Sequence, residues 1–558
     1  MSVPSDLPAR PRVPFYWLAA VIAWLAALGF RPLFNPDEGR YAEIPREMLE
    51  AGNFVVPRLN DLVYLEKPPL QYWLTALGFR LLGVSPFSAR LVTALAAVAG
   101  VGIVYAIARR LWTPERAEAA ALMCASMLLY VFMGQLLTLD MLLSVELLAA
   151  VALFCAAQAC RTSDPAQSDR LALGCWAAMA AATLTKGLIG LALPGAILVL
   201  YTLVCRDFAV WRHLALVRGA ALYTLLTAPW FLLVERAHPG ALWFLIIHEH
   251  FERYLTTVHA RYQPPWYFVP ILLLGILPWL PQGLRALATG WRASVPPGRF
   301  DPTRLLWIAA VFVFAFFSAS DSKLAPYVLP ILPLLALLGS TEAPTARTDL
   351  RRAAIVSTAV GAGLLLAVAT YPSFHPPERN LALYRSAWPW LAVAGALVAA
   401  AGIVVLARQA TPWLGGVRRL AAAHFVAALL LATAGAATLS WKYSGAVVLP
   451  ELTAGLSRAP QAAVYAFRTY DWTLPVYTGR MLVPVEWRGE LDYGLGHEPD
   501  KGIAEFAEFA RRWQAADQAF AIVEPPQLVT LQEAGLPFVI AKASPELVLI
   551  ARQTRPSP

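Results

Sequence analysis

The feature that most constrains this chain is a succession of apolar segments, each near the length that crosses a bilayer core. A hydrocarbon core of about 30 Å takes roughly 20 helical residues, and runs of that kind predict about thirteen spans. They fall near residues 14–30, 89–108, 117–133, 139–159, 171–185, 187–205, 215–234, 266–284, 305–319, 325–339, 353–371, 387–407 and 420–440. Composition agrees, since 58% of the residues are hydrophobic and 15% are charged, where a soluble domain carries about a quarter charged residues. The chain reads as a polytopic α-helical membrane protein. Its first apolar run, Phe15 to Phe30, leads into Asn35 without a small-residue cleavage site and so reads as a first span.

The basic residues orient these spans. With the N-terminus in the cytoplasm, the inner segments hold twenty arginines, among them Arg109, Arg110 and Arg116, and the short outer loops hold Lys186, Lys323, Arg379 and Arg385. An excess of that size puts the arginine-rich side inside. An odd number of spans then leaves the C-terminal region outside. The net charge of +9 is mostly this topology signal, and it argues against a nucleic-acid partner. All five cysteines, Cys124, Cys155, Cys160, Cys175 and Cys205, lie in or beside early spans, which leaves no disulfide framework or cysteine metal site for the outer regions.

Residues 1–442 form the membrane domain, with two long outer loops at 31–88 and 235–265. Ordered loops of that length usually carry function. In the first, Asn35 is placed to cap a helix with Pro36 at its first position, and Tyr41, Ile44, Met48 and Leu49 make an apolar face, as in a helix lying on the membrane surface. After Pro68 and Pro69 a second interfacial helix carries Leu70, Trp73, Leu74, Leu77 and Leu81 at helical spacing, with Tyr64, Glu66 and Lys67 before it. From residue 443 to 558 strand-like AAVYAF, FAIVE, FVIAKA and LVLIA alternate with helical stretches, which predicts an α/β domain outside the membrane.

Ionisable residues gather at the outer ends of the spans. Asp37, Glu38, Arg40 and Lys67 come from the first loop, while Asp140, Lys186 and the stretch Asp321 to Tyr327, with Lys323, come from other outer connections. Carboxylates in a helix's first turn have a plain explanation in the helix dipole. So many ionisable groups on one side of the membrane point instead to a polar cavity there. A carboxylate among Lys, Arg and Tyr suits transfer of a group carried on a phosphate, because cations neutralise the leaving phosphate while the carboxylate orients or deprotonates the attacking group. Arg253, in HEHFERY, is a further phosphate candidate, with an ion pair to Glu249 as the alternative. Glu66 and His248 are a candidate pair for a divalent cation such as zinc, although no cofactor is expected to be required.

The motifs NPDEGRYAEIPREML and PRLNDLVYLEKPPLQYW, with Ser322-Lys323-Leu324 and Tyr327-Val328-Leu329-Pro330, resemble the bacterial lipid A aminoarabinose transferases and, more broadly, the GT-C membrane glycosyltransferases. The resemblance implies a GT-C fold with a periplasmic C-terminal domain. It also implies transfer of 4-amino-4-deoxy-L-arabinose from undecaprenyl phosphate to lipid A phosphates at the periplasmic face of the inner membrane, and with it resistance to cationic antimicrobial peptides such as polymyxin. By motif, Asp37 matches the family's essential acidic residue and Lys67 its basic residue after Glu66, while Tyr327 would help hold the donor phosphate. Asp140 joins Asp37 and Lys67 as a catalytic candidate; Glu38, Arg40, Tyr64, Lys186, Arg253, Lys323 and Tyr327 are substrate-binding candidates. Two other readings remain: a polyprenyl-phosphate glycosyltransferase acting on protein or another glycan, and a lipid flippase. A flippase places polar groups on both membrane faces, whereas these clusters occupy one.

Overall fold

The computed structural model describes residues 15–252, 263–292, 299–341, 345–375, 378–408 and 412–552. Every expected apolar segment falls on helix. The early ones are α1 (Phe15–Ala26), α2 (Asp37–Ala51), α3 (Leu70–Leu82), α4 (Pro86–Leu111), α5 (Pro114–Ser126), α6 (Leu128–Met133), α7 (Leu139–Cys160), α8 (Pro165–Lys186), α9 (Ile189–Cys205) and α10 (Leu216–Ala237). Among the described residues seven helices are long and apolar enough to cross a membrane unaided, or eight with one bent pair, and Phe15–Ala26, Ile189–Cys205 and Ala325–Gly339 are shorter apolar helices.

Two expected spans are not single helices. The segment 266–284 is Phe268–Gly275 followed by a helix beginning at Leu280, turned by 119°, with Pro278 in the break, where a prolyl ring cannot continue the preceding ladder. The segment 117–133 is interrupted at Met127, whose extended backbone (φ −64°, ψ 129°) separates α5 from α6.

The loop before α2 departs from expectation as well. Asn35 does not cap α2: its Nδ2 donates to Asp471 at 2.6 Å and its Oδ1 accepts from the Trp472 backbone at 2.8 Å. Nor does the apolar face of α2 meet lipid. Nine of its fifteen residues are buried, with Ile44 and Met48 packed among Leu59, Leu62, Tyr72, Trp472, Leu491 and Leu495. Helix α3 does present Leu77, Leu81 and Leu82 outward while Tyr72, Ala76 and Phe79 are buried, the disposition of a helix lying along an interface. Between the two helices β1 (Arg58–Leu59) and β2 (Leu62–Val63) make a short antiparallel hairpin.

The C-terminal region is a mixed sheet in the order β4-β3-β5-β7-β6. Its strands are β3 (Ala463–Phe467), β4 (Val483–Val485), β5 (Ala519–Val523), β6 (Phe538–Ala543) and β7 (Val548–Arg552). Strand β3 runs parallel to β4 and β5, whereas β7 is antiparallel to β5 and β6. Alternation sends Tyr465 and Phe467 into one core with Phe509 and Trp513, and Val464 and Ala466 into another with Leu452 and Leu474. Both faces of the central strands are therefore covered, which explains why they read as unbroken apolar runs.

This domain is docked on the first outer loop. Asn60 Nδ2 donates to the Leu482 carbonyl at 2.8 Å and its Oδ1 accepts from Leu482 N at 2.9 Å. Arg58 pairs with Glu498 at 2.6 Å and Lys501 with Asp61 at 2.5 Å. The Tyr477 hydroxyl accepts from Leu33 N at 2.6 Å.

Candidate active site

Consecutive helical residues point about 100° apart, and α2 uses this to give its two leading carboxylates different surroundings. The Asp37 side chain is 46% exposed and ion-pairs with Arg40. Glu38 is 2% exposed. It accepts from Arg31 Nη1 at 2.5 Å, Arg90 Nε at 2.7 Å, Arg90 Nη2 at 2.8 Å, Phe34 N at 2.9 Å and Leu137 N at 3.1 Å. Burial opposes its charge, but the two guanidiniums outweigh that and hold its carboxyl well below the usual range. Glu38 was expected to bind substrate. With both oxygens committed to protein donors it is instead a brace between α2, the end of the first span and α4.

Arg40, also expected to bind substrate, is likewise held by protein groups. It is 4% exposed, and its two terminal nitrogens are engaged by Asp37 and by Glu490 of the outer domain. Around it stand Tyr41, Tyr64 and Tyr72, the rings of Tyr41 and Tyr72 lying 6.3 Å apart. The buried hydroxyls of Tyr64 and Tyr72 have no hydrogen-bond partner among the described residues. Burial, reinforced by the charge of Glu66, pushes both phenols up, so they are protonated at neutral pH and available as donors. Buried hydroxyls left this way cost free energy that a bound polar ligand would recover.

The cations come from other parts of this face. Lys67 Nζ donates to Glu249 at 2.5 Å and to the Glu66 carbonyl at 2.6 Å, which joins the two outer loops. Helices α7 and α8 are joined by a short turn and run antiparallel, so the start of one meets the end of the other. Asp140, in the first turn of α7, thus ion-pairs with Lys186, the last residue of α8, and both charges suit their helix ends. Lys186 Nζ also lies 4.8 Å from the centre of the Tyr327 ring. Asp140 and Lys186 therefore meet where α7 begins and α8 ends, with Tyr327 beside them. Lys323, expected to bind substrate, is buried and donates to the carbonyls of Ser320 and Gln263, which commits its ammonium to backbone. Arg253 lies outside the described residues.

The proposed cation pair finds limited support in the donor set. His248 stacks on Phe244 at 4.7 Å and its Nδ1 is 3.6 Å from Glu249, the carboxylate that already pairs with Lys67. Among the described residues no three His, Cys, Asp or Glu side chains converge as metal ligands.

Several residues at the site were not singled out from sequence: Arg31, Arg90, Tyr41, Tyr72 and Glu490. Arg90 carried a signal, because a cation inside an apolar helix requires an anionic partner nearby. Glu490 carried none, since it lies about 450 residues from Arg40 in sequence and only the docking of the two domains brings them together.

Comparison with known proteins gives this arrangement a context. Residues 453–552 match the family model described as the aminoarabinose transferase C-terminal domain, and residues 66–232 match that of dolichyl-phosphate-mannose-protein mannosyltransferase. The chain is 32% identical over 394 residues, 68% of each chain, to the undecaprenyl phosphate-alpha-4-amino-4-deoxy-L-arabinose arabinosyl transferase of Shewanella sediminis. With the corresponding protein of Erwinia tasmaniensis the identity is 30% over 516 residues, 86% of each. The crystal structure of ArnT from Cupriavidus metallidurans bound to undecaprenyl phosphate superimposes with TM-score 0.88 at 32% identity, covering 97% of this chain and 99% of that one. The apo structure gives TM-score 0.87 at 31% identity over the same shares. A polytopic helical domain with ionisable groups at one outer face and an α/β domain docked over it is the architecture of a GT-C membrane glycosyltransferase. Within that class the chain belongs to the aminoarabinose transferase family.

Proposed function

We propose that this enzyme transfers 4-amino-4-deoxy-L-arabinose from undecaprenyl phosphate to the phosphate groups of lipid A at the periplasmic face of the inner membrane. The observation that carries the reading is the Lys186–Asp140 pair against Tyr327, together with Asp37 and Lys67 on the first loop, in a chain that a solved relative with undecaprenyl phosphate bound matches along 97% of its length. In the transfer, the bond between the sugar's anomeric carbon and the donor phosphate oxygen breaks, and an acceptor phosphate oxygen forms the new one. Undecaprenyl phosphate leaves with the electron pair. Lys186 and Lys67 neutralise the leaving phosphate by exchanging their carboxylate partners for it, and the Tyr327 hydroxyl donates to it. A phosphate monoester is mostly deprotonated at neutral pH, so the acceptor needs little help from a base. Asp37, half in solvent, instead orients the acceptor or attracts the sugar's ammonium.

The balance needs no cofactor. A divalent cation held by Glu66 and His248 would add positive charge beside Lys67, and activity measured with a chelator tests for it. Adding a cationic sugar reduces the anionic charge that draws polycationic peptides such as polymyxin to lipid A.

Asp37→Asn tests the assignment, because Asn occupies a helix's first turn equally well and only the charge is lost. The variant is expected to insert and fold normally and to leave lipid A unmodified by mass spectrometry of complemented deletion cells. Transfer at the wild-type rate would reduce Asp37 to a helix-dipole residue. The mannosyltransferase match favours one second reading, a protein acceptor; unchanged lipid A with altered glycoproteins in the deletion strain would support it.

A further inference from the structure

We propose that Glu490 of the outer α/β domain is a positioning residue for transfer, acting on Asp37 through Arg40. The inference rests on the assignment of Asp37 above. Arg40 is buried and bridges two carboxylates, Asp37 from the membrane domain and Glu490 from the outer domain, one on each terminal nitrogen. Its Nε has no partner among the described residues, so these two pairs fix the guanidinium. A buried guanidinium that pairs with two anions is held between them. Remove the charge of Glu490 and Arg40 turns further onto Asp37, forming a two-point pair that draws the carboxylate away from the sugar and acceptor.

The reach of Glu490 is built rather than incidental. It sits in the turn Gly489–Leu491, where Gly489 has φ +45° and a Cβ would fall 2.3 Å from the Trp487 ring. Trp487 in turn stacks on Tyr470 at 5.0 Å. On the other flank, Gly494 lies so close to the hairpin that a Cβ would come within 2.9 Å of the Val63 carbonyl. Glu490 is therefore anchored to its own domain on one side and to the first outer loop on the other, while Asp37, Tyr41, Tyr64, Tyr72 and Glu490 itself are charged and phenolic groups that face Arg40 among the described residues.

The test uses the full-length purified enzyme in lipid nanodiscs with undecaprenyl-phosphate-linked aminoarabinose and lipid A. Glu490→Gln should lower kcat about tenfold with KM little changed, as loss of an effect felt mainly in the transition state does. Glu490→Asp should recover most of the rate, and both variants should melt as the wild type does. A wild-type rate in Glu490→Gln would overturn the inference, as would a lowered rate accompanied by a lowered melting temperature. Asp37→Asn measured alongside separates the two claims: an inactive Asp37→Asn with a normal Glu490→Gln sinks only the positioning role, and an active Asp37→Asn sinks both.

Discussion

Glu47 shows at the level of single residues how α2 carries more charge than it can comfortably bury. It is 6% exposed, one oxygen accepts from Asp61 N at 2.9 Å and the other has no partner among the described residues. Burial and the neighbouring charge of Glu43, with Arg46 and the Asp61 and Asn60 backbone pulling the other way, raise its carboxyl from 4.5 to about 8. A carboxyl raised in the folded state favours folding below its unfolded value and loses that advantage as pH climbs toward its folded one. Glu47→Gln, which keeps the acceptor for Asp61, should therefore melt higher than wild type near pH 7.5, by at most a few kcal/mol, with the difference gone by about pH 5. Equal melting points at pH 7.5 would mean that Glu47 is ionised and well solvated. The same scale shows what sequence could and could not say about the site. NPDEGRY is legible as a charged cluster at a membrane boundary, but whether Asp37 or Glu38 faces solvent depends on helix rotation, which was fixed by Arg31 and Arg90 from either side of the loop. Arg40 read as a substrate ligand because one of its two carboxylate partners, Glu490, belongs to the other domain.

At the scale of elements, α2 is the wedge between the membrane domain and the outer domain, and Gly39 is where it touches. A Cβ there would lie 2.5 Å from the Trp472 carbonyl carbon and 2.6 Å from its oxygen and Cβ, backbone that has no room to move because Asn35 and Asp471 hold Trp472 in place. Gly39→Ala should push the domains apart, costing roughly 1 to 3 kcal/mol, and limited proteolysis between residues 440 and 448 should speed up while transfer falls. Proteolysis and transfer both at wild-type values would show that the contact yields without cost. Periodicity predicted α2 and α3 well as helices, since a 3.6-residue apolar repeat needs no tertiary information. It could not say that α2's apolar face would be covered by protein instead of lipid, because both coverings select the same residues. The bend at 276–279 was equally hidden: Pro278 permits a straight kinked helix or a sharp turn, and the packing decides.

For the whole molecule, the contacts between domains settle a relation that span counting leaves open. Since Arg58 and Asp61 of the first outer loop pair directly with Glu498 and Lys501 of the C-terminal domain, the two regions lie on one side of the membrane, and an even number of crossings separates them whichever of the short helices span. We propose that this side is the periplasm, because the opposite ends are rich in arginine, such as Arg109 and Arg110 at the end of α4, and basic residues favour the cytoplasmic side. Single cysteines at the exposed positions Asn53 and Asp500, in a background with the five native cysteines replaced, should both react with an impermeant thiol reagent on intact spheroplasts. A cysteine at exposed Thr162, in the α7–α8 turn, should react only after the membrane is opened. Labelling of Asn53 and Asp500 from opposite sides would contradict the docked domains themselves, whereas labelling of Thr162 alone on intact cells would keep the architecture and invert it, placing Asp37 and its cations where a lipid-linked sugar on the outer leaflet never arrives.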